Sequence, residues 1–183
     1  MFSSNPPILV FSPARRVRNN TVKHTLLNCE ATKQVVINIV DYNIVQQMSL
    51  SSTEYPDGVN EFIKSGLTML PSDMIKPYRV AESPVQFECK VNEIIALGNQ
   101  GGAGNLIICE ILCLHFNEKV LDENNSVDPV KMKYIARMGK DFYCRADASN
   151  IFEVAKPKAN SNLGIGLDAL PEHILTSNIL TGN

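Results

Sequence analysis

Arg15, Arg16, Arg18 and Lys23 fall within nine residues, and no acidic side chain appears before Glu30. Asn20 or Thr21 is placed to cap a helix beginning there, with Leu26 and Cys29 on its inner side. A helix start carries unpaired N–H groups and the positive end of the macrodipole. With guanidinium forks beside it, the arrangement suits a bound dianion such as a phosphate monoester. Ser12, Thr21 and Thr25 offer hydroxyls close by, and Ser51, Ser52 and Thr53 offer more farther along. A solvated charged loop is the competing reading, and spacing alone leaves both open.

Other chemistries find less support. Gly98, Gly101, Gly102 and Gly104 do not spell G-x-G-x-x-G, and a strand rather than a helix follows them, so a flexible hairpin turn is expected. No G-x-S-x-G elbow occurs. His24, His115 and His173 are far apart, the five cysteines contain no C-x-x-C pair, and no metal site is expected. Cys109 and Cys113 would share one face of a strand, too far apart to bridge, and the thiols read as buried core. Asn19-Asn20-Thr21 and Asn124-Asn125-Ser126 match glycosylation sequons without an export context. Asp122 and Glu123 read as a solvated pair in a polar loop.

The elements that must position these residues are mostly strands. Pro7 to Ser12 and Gln34 to Val40 read as short apolar strands flanking the basic turn and its helix. Between Asp41 and Lys64 two helical faces are expected: Ile44, Val45 and Met48, then Val59, Phe62 and Ile63, with Gly66 as terminator. Val85 to Asn92 alternates apolar and polar residues without a break, the pattern of a strand with one wet face, and Ile94 to Leu97 extends it. The glycine turn returns the chain into Leu106 to Phe116, apolar on both faces and therefore central. Asp128-Pro129 predicts a helix with Val130, Ile135 and Met138 inward. Phe142 to Arg145 predicts a last strand, and Leu170 to Leu175 a short helix in an Asn- and Gly-rich tail. The fold class expected is mainly β, an antiparallel small barrel or sandwich with inserted helices. One domain over residues 1–155 and a tail over 156–183 are expected.

Composition bounds the function. The 183 residues carry 17 Lys and Arg against 19 Asp and Glu, a formal charge of −2, which disfavours a general nucleic-acid binder. With 44% hydrophobic residues the chain can bury a core. No apolar run nears the ~20 residues that span a bilayer. The opening Met1 to Pro7 lacks the basic start of a signal peptide, so a soluble cytoplasmic protein is expected.

The run Ser3-Ser4-Asn5-Pro6-Pro7-Ile8-Leu9-Val10-Phe11-Ser12-Pro13 resembles the flavin reductase-like family of FMN-binding split barrels. Lys23-His24-Thr25-Leu26-Leu27-Asn28 stands at that family's Lys-Asp-Thr-x-x-Asn position, with His24 in place of Asp. Val36-Ile37-Asn38, Leu50-Ser51-Ser52, Gly58-Val59-Asn60-Glu61-Phe62, Gly66-Leu67-Thr68 and Arg79 to Cys89 follow in the family order. The resemblance implies a Greek-key split barrel, a homodimer, and FMN held near the subunit interface. It also implies hydride transfer from NADH or NADPH to flavin, or electron carriage without NAD(P)H turnover. Position by position, Ser3, Ser4 and Asn5 would lie beside the flavin or its ribityl chain. Ser12, Arg15, Arg16, Arg18 and Thr25 would form the phosphate end, with Ser51 and Ser52 near the ring system. No side chain is assigned as acid or base. The family's strands ahead of the Ser-Ser-Asn-Pro-Pro loop are expected to be missing, leaving an open barrel or an inactive truncated copy.

Overall fold

In a computed structural model, residues 2–152 and 154 are described. The chain divides into two compact units, Met1–Ala146 and Asp147–Asn183. The first opens with β1 (Ser3–Ser4) and β2 (Pro7–Phe11), followed by α1 (His24–Thr32) and β3 (Gln34–Asn38). α2 (Val45–Ser51), α3 (Glu61–Ser65), β4 (Met69–Leu70) and β5 (Arg79–Val80) come next. Two 12-residue strands, β6 (Val85–Ala96) and β7 (Asn105–Phe116), then form the long hairpin, and β8 (Ile135–Gly139) and β9 (Phe142–Arg145) close the unit. In the second unit the described residues form a 3-10 turn, Ala148–Asn150. The helix expected over Leu170 to Leu175 lies outside the described residues. Among those described, no helix is long and apolar enough to cross a membrane.

The main sheet has the order β1-β2-β7-β6-β3, antiparallel throughout. β3, β6 and β7 neighbour one another in chain order, while β2 lies beside β7 after a long connection, which is a Greek key. β7 is flanked on both sides, as its apolar composition requires, because a central strand has no wet edge. α1 lays Leu26 and Cys29 against Val91 and Ile107, with Phe11, Val22, Val35 and Ile94 around them. A second cluster joins Val85, Val120 and Met132 to Ile39, Phe87 and Val127. Each fully buried aliphatic side chain there contributes about 1.5–3 kcal/mol relative to exposure.

Five expectations need correction. Asp128-Pro129 opens only a single turn: the Asp128 carboxylate accepts from Val130 N and Lys131 N, and Met132 N donates to the Asp128 carbonyl. Ile135 and Met138 then belong to strand β8, with Met138 exposed, since β8 pairs with β9 and the hairpin ladder replaces helical bonds. α1 starts at His24, not after Asn20 or Thr21; Asn20 instead takes a left-handed conformation in the preceding turn. β6 lacks a wet face in its first half: Gln86 and Glu88 are buried. Alternation marks opposite faces of a strand but does not say that the polar face meets water, and here it meets protein partners. Cys109 and Cys113 lie on opposite faces, because β7 carries one extra residue between the pairs Cys89–Ile111 and Glu88–Cys113. The cysteines also divide: Cys29, Cys89 and Cys109 are core, Cys113 is half-buried and Cys144 is exposed.

Candidate functional site

The segment between β2 and α1 is a tight loop closed on itself. Arg16 N donates to the Thr21 carbonyl at 2.8 Å and Asn20 N to the Arg16 carbonyl at 2.9 Å. The Arg16 guanidinium donates through one terminal nitrogen to Thr21 Oγ1 (3.0 Å) and to the Val22 carbonyl. Val22 packs on the core, so this arginine is fastened to a rigid part of the molecule. The glycine turn between β6 and β7 docks on the same loop and is thereby pinned rather than free. Arg15 N donates to the Ala103 carbonyl (2.8 Å), Gly102 N to the Arg15 carbonyl (3.0 Å), and Asn20 Nδ2 to the Asn99 carbonyl (3.0 Å). Gly101 is required there: a Cβ would sit 2.9 Å from the Val17 carbonyl oxygen.

α1 begins without a side-chain cap on Lys23 and without an acidic residue in its first turn. Its first N–H groups have no intrahelical partner and its dipole favours negative charge. The end of α2 comes alongside. A cavity of about 240 Å³ between them is lined by Arg16, Lys23, His24 and Thr25 on one side and Ser51 to Tyr55 with Glu61 on the other. Thr25, Ser51 and Glu61 also line a larger cleft of about 430 Å³, whose walls include Val35, Val36, Phe62, Leu67, Tyr78 and Val80. A small polar pocket thus adjoins a slot with apolar walls of the size that holds planar ligands.

Of the residues singled out in the sequence, Arg16, Thr25, Ser51 and Ser52 meet in the small pocket. Arg18 reaches its rim through Glu54, Nη2 lying 2.7 Å from Oε2. Arg15 turns away, donating to the Asn20 side chain (2.8 Å) and carbonyl (2.6 Å). Ser12 stands at the root of the glycine turn, where a Cβ on Gly104 would meet its Oγ at 2.6 Å. Ser3, Ser4 and Asn5 lie in the hairpin at the edge of the main sheet and line neither cavity. The Ser51 and Ser52 hydroxyls donate to the Met48 and Ser49 carbonyls, so each must rotate to donate to a ligand.

Sequence reasoning missed Glu54. Its Oε1 lies 3.1 Å from Arg16 Nε, so one carboxylate clasps two arginines. Glu61 adds a second acid to the lining, so Arg16 and Lys23 face an equal number of carboxylates. Thirty-six residues separate Arg18 from Glu54, and no local pattern announces such a pairing.

A second polar centre lies under β6 and β7. Glu88 is fully buried and accepts from Asp73 N (2.9 Å) and Met74 N (2.7 Å). His115 Nε2 lies 2.7 Å and Arg79 Nε 3.5 Å from its Oε1. Burial pushes the Glu88 carboxyl up. The amide donors and His115 outweigh that and hold it below its ordinary value. Donor atoms of Glu88, Cys113 and His115 all lie within 4.8 Å of one another, a trio that linear spacing hid. The amides and Arg79 already occupy the carboxylate, which makes this centre a lock holding the β4–β5 connection to the sheet.

Comparison with known proteins agrees with this architecture. An uncharacterized protein of Aquifex aeolicus is 34% identical over 144 residues, covering 79% of this chain and 71% of that one. The solved structure of nitrilotriacetate monooxygenase component B from Bacillus cereus superposes with a TM-score of 0.74 at 23% identity, covering 83% of this chain and 74% of that one. A split-barrel protein of the flavin reductase type from Shewanella frigidimarina gives 0.68 at 24% identity, over 84% and 74%. At those identities the two structures speak to the fold, which is that of a mainly β, antiparallel split barrel. The sequence profile of the Flavin reductase like domain matches residues 1–137, and the chain belongs to that family.

Proposed function

We propose that this chain binds FMN and serves as an NAD(P)H-dependent flavin oxidoreductase. The observation that carries the reading is the junction of two cavities. A polar pocket at the uncapped start of α1, with Arg16 and Lys23 in its wall, opens beside an apolar slot of about 430 Å³. The donor chemistry fits the phosphate of FMN and the slot fits a flat ring in size. Bound flavin would supply hydride acceptance and release, chemistry that no amino-acid side chain provides.

The protein's own part is binding and orientation. Arg16 would meet the phosphate through its Nε, with the first amides of α1 and the Thr25, Ser51 and Ser52 hydroxyls as further donors. Val35, Val36, Phe62 and Leu67 would exclude water from one side of the ring, and the open side of the slot would admit a nicotinamide at reacting distance. No side chain is needed as acid or base. Exposed Leu112, Leu114 and Phe116, at alternate positions on β7, support a homodimer as part of the reading.

Equilibrium dialysis of the purified chain with FMN and with riboflavin tests the binding claim. FMN is expected to bind stoichiometrically and more tightly, since riboflavin lacks the phosphate. Equal affinity for the two would remove the phosphate pocket from the account. Steady-state oxidation of NADH or NADPH with added flavin tests the turnover; bound FMN with no turnover would mark an electron carrier instead.

A further inference from the structure

We infer that Glu54 is a built-in counter-anion that occupies the arginines of the small pocket until a phosphate replaces it. It thereby restricts the pocket to doubly charged phosphate monoesters. The inference rests on the phosphate reading given above and concerns how that pocket selects.

The first ground is charge. The lining holds two cations, Arg16 and Lys23, and two carboxylates, Glu54 and Glu61. Arg18 adds a third cation at the rim, but it and the Arg16 Nε edge are both engaged by Glu54, so a weak anion finds little net attraction. The pocket's cations are freed when a carboxylate leaves, and Glu54 is the one placed to leave, being 43% exposed and reached by no other side-chain donor among the described residues than Arg16 and Arg18.

The second ground is the way the two arginines are held. Arg16 is 19% exposed and keeps its guanidinium in place through Thr21 and Val22, independently of Glu54. What Glu54 covers is the Nε edge, at 3.1 Å. Withdrawing the carboxylate therefore bares a preset donor without letting the fork collapse. Arg18 differs: at 79% exposure its bond to Glu54 is the one that brings it to the rim. Exposed pairs of that kind are weak and easily exchanged. The repulsion between a carboxylate and an incoming dianion a few ångströms away is the larger effect. A dianion offers two guanidiniums more than a carboxylate does and can displace Glu54, whereas a singly charged ligand gains nothing by the exchange.

The test compares wild type, Glu54→Gln and Glu54→Asp by fluorescence titration with FMN, riboflavin and the singly charged methyl sulfate, with ligand-free melting temperature as the folding control. Glu54→Gln is expected to tighten FMN by about tenfold and to let singly charged methyl sulfate compete where it did not before. It should leave riboflavin and the melting temperature within error. Glu54→Asp, which keeps the charge, is expected to stay near wild type. Weaker or unchanged FMN binding in a well-folded Glu54→Gln protein, beside a wild type that still prefers FMN to riboflavin, would overturn the counter-anion role alone. A wild type with no preference for FMN would overturn the phosphate pocket itself.

Discussion

His115 Nε2 and Glu88 Oε1 stand 2.7 Å apart across the β6–β7 hairpin, and the carboxylate of this pair has no exposed surface. Arg79 and two backbone amides complete its shell, and the same Arg79 donates to the Pro71 carbonyl (2.9 Å). Glu88→Ala leaves two amides without their acceptor and takes from the buried Arg79 its buried counter-charge. It is expected to destabilise the fold by about 3 kcal/mol, the usual cost of removing one partner from a buried pair. Urea unfolding monitored by far-UV circular dichroism measures it; a loss under 1 kcal/mol would mean that water replaces the carboxylate.

The same group sets an acid dependence. The Glu88 carboxyl is held below its ordinary value near 4.5, so its contribution is present in full above that pH. The contribution is lost as pH falls through the lower folded-state value. Wild type is therefore expected to lose stability more steeply than Glu88→Gln, which has nothing to protonate, as pH falls below about 4.5. Parallel acid limbs in thermal melts of the two proteins would contradict the assignment.

Arg15 and Arg16 are sequence neighbours with different roles in the loop. Arg16→Ala is expected to weaken FMN by about tenfold or more while barely changing riboflavin, because only FMN carries the charge that Nε would meet. Arg15→Ala, whose side chain serves Asn20, is expected to leave the ratio of the two affinities unchanged. Isothermal titration of both ligands against both variants decides it, and a preserved FMN preference in Arg16→Ala would reject the anchor.

Gly101 and Gly104 separate a rigid obstacle from a yielding one. A methyl at 101 meets the Val17 carbonyl at 2.9 Å, whereas one at 104 meets the Ser12 hydroxyl, which can rotate away. Gly101→Ala is expected to cost about 1–3 kcal/mol and Gly104→Ala distinctly less. Differential scanning calorimetry orders the two, and a reversed order would mean that the turn is not pinned to the basic loop.

Thiol reactivity follows burial. Cys144 is exposed and is expected to react within minutes with an aromatic disulfide reagent, with Cys113 slower. Cys29, Cys89 and Cys109 are expected to wait for denaturant. Burial pushes the Cys29 thiol up, and the hydrogen bond to Cys109 together with burial does the same for Cys89. More than two fast thiols in the native protein would show that the α1–sheet packing opens.

Strands β2, β3, β6 and β7 were legible because each carries a run of β-branched or alternating residues bounded by Pro, Gly or polar turns. Gly66 was legible as a helix stop for a similar reason, its φ of 72° being costly for any residue with a Cβ. The segment after Asp128 misled because a cap residue followed by Pro begins a helix and a single turn alike; the pairing of β8 with β9 decides between them. The family was legible from ordered short motifs, and with it the expectation of flavin.

From the sequence alone came the β-rich antiparallel class, the central place of β7, and the concentration of positive charge before α1. These depend on residue type and short-range periodicity, which a linear string contains. Tertiary structure decided which arginine faces the pocket, that Glu54 balances its charge, and that Glu88, Arg79 and His115 form one buried centre. Those pairings join residues 9 to 38 positions apart or lie on one side of a loop rather than the other. Coulomb attraction and hydrogen bonding act through space, and only the packed sheet brings such partners within reach.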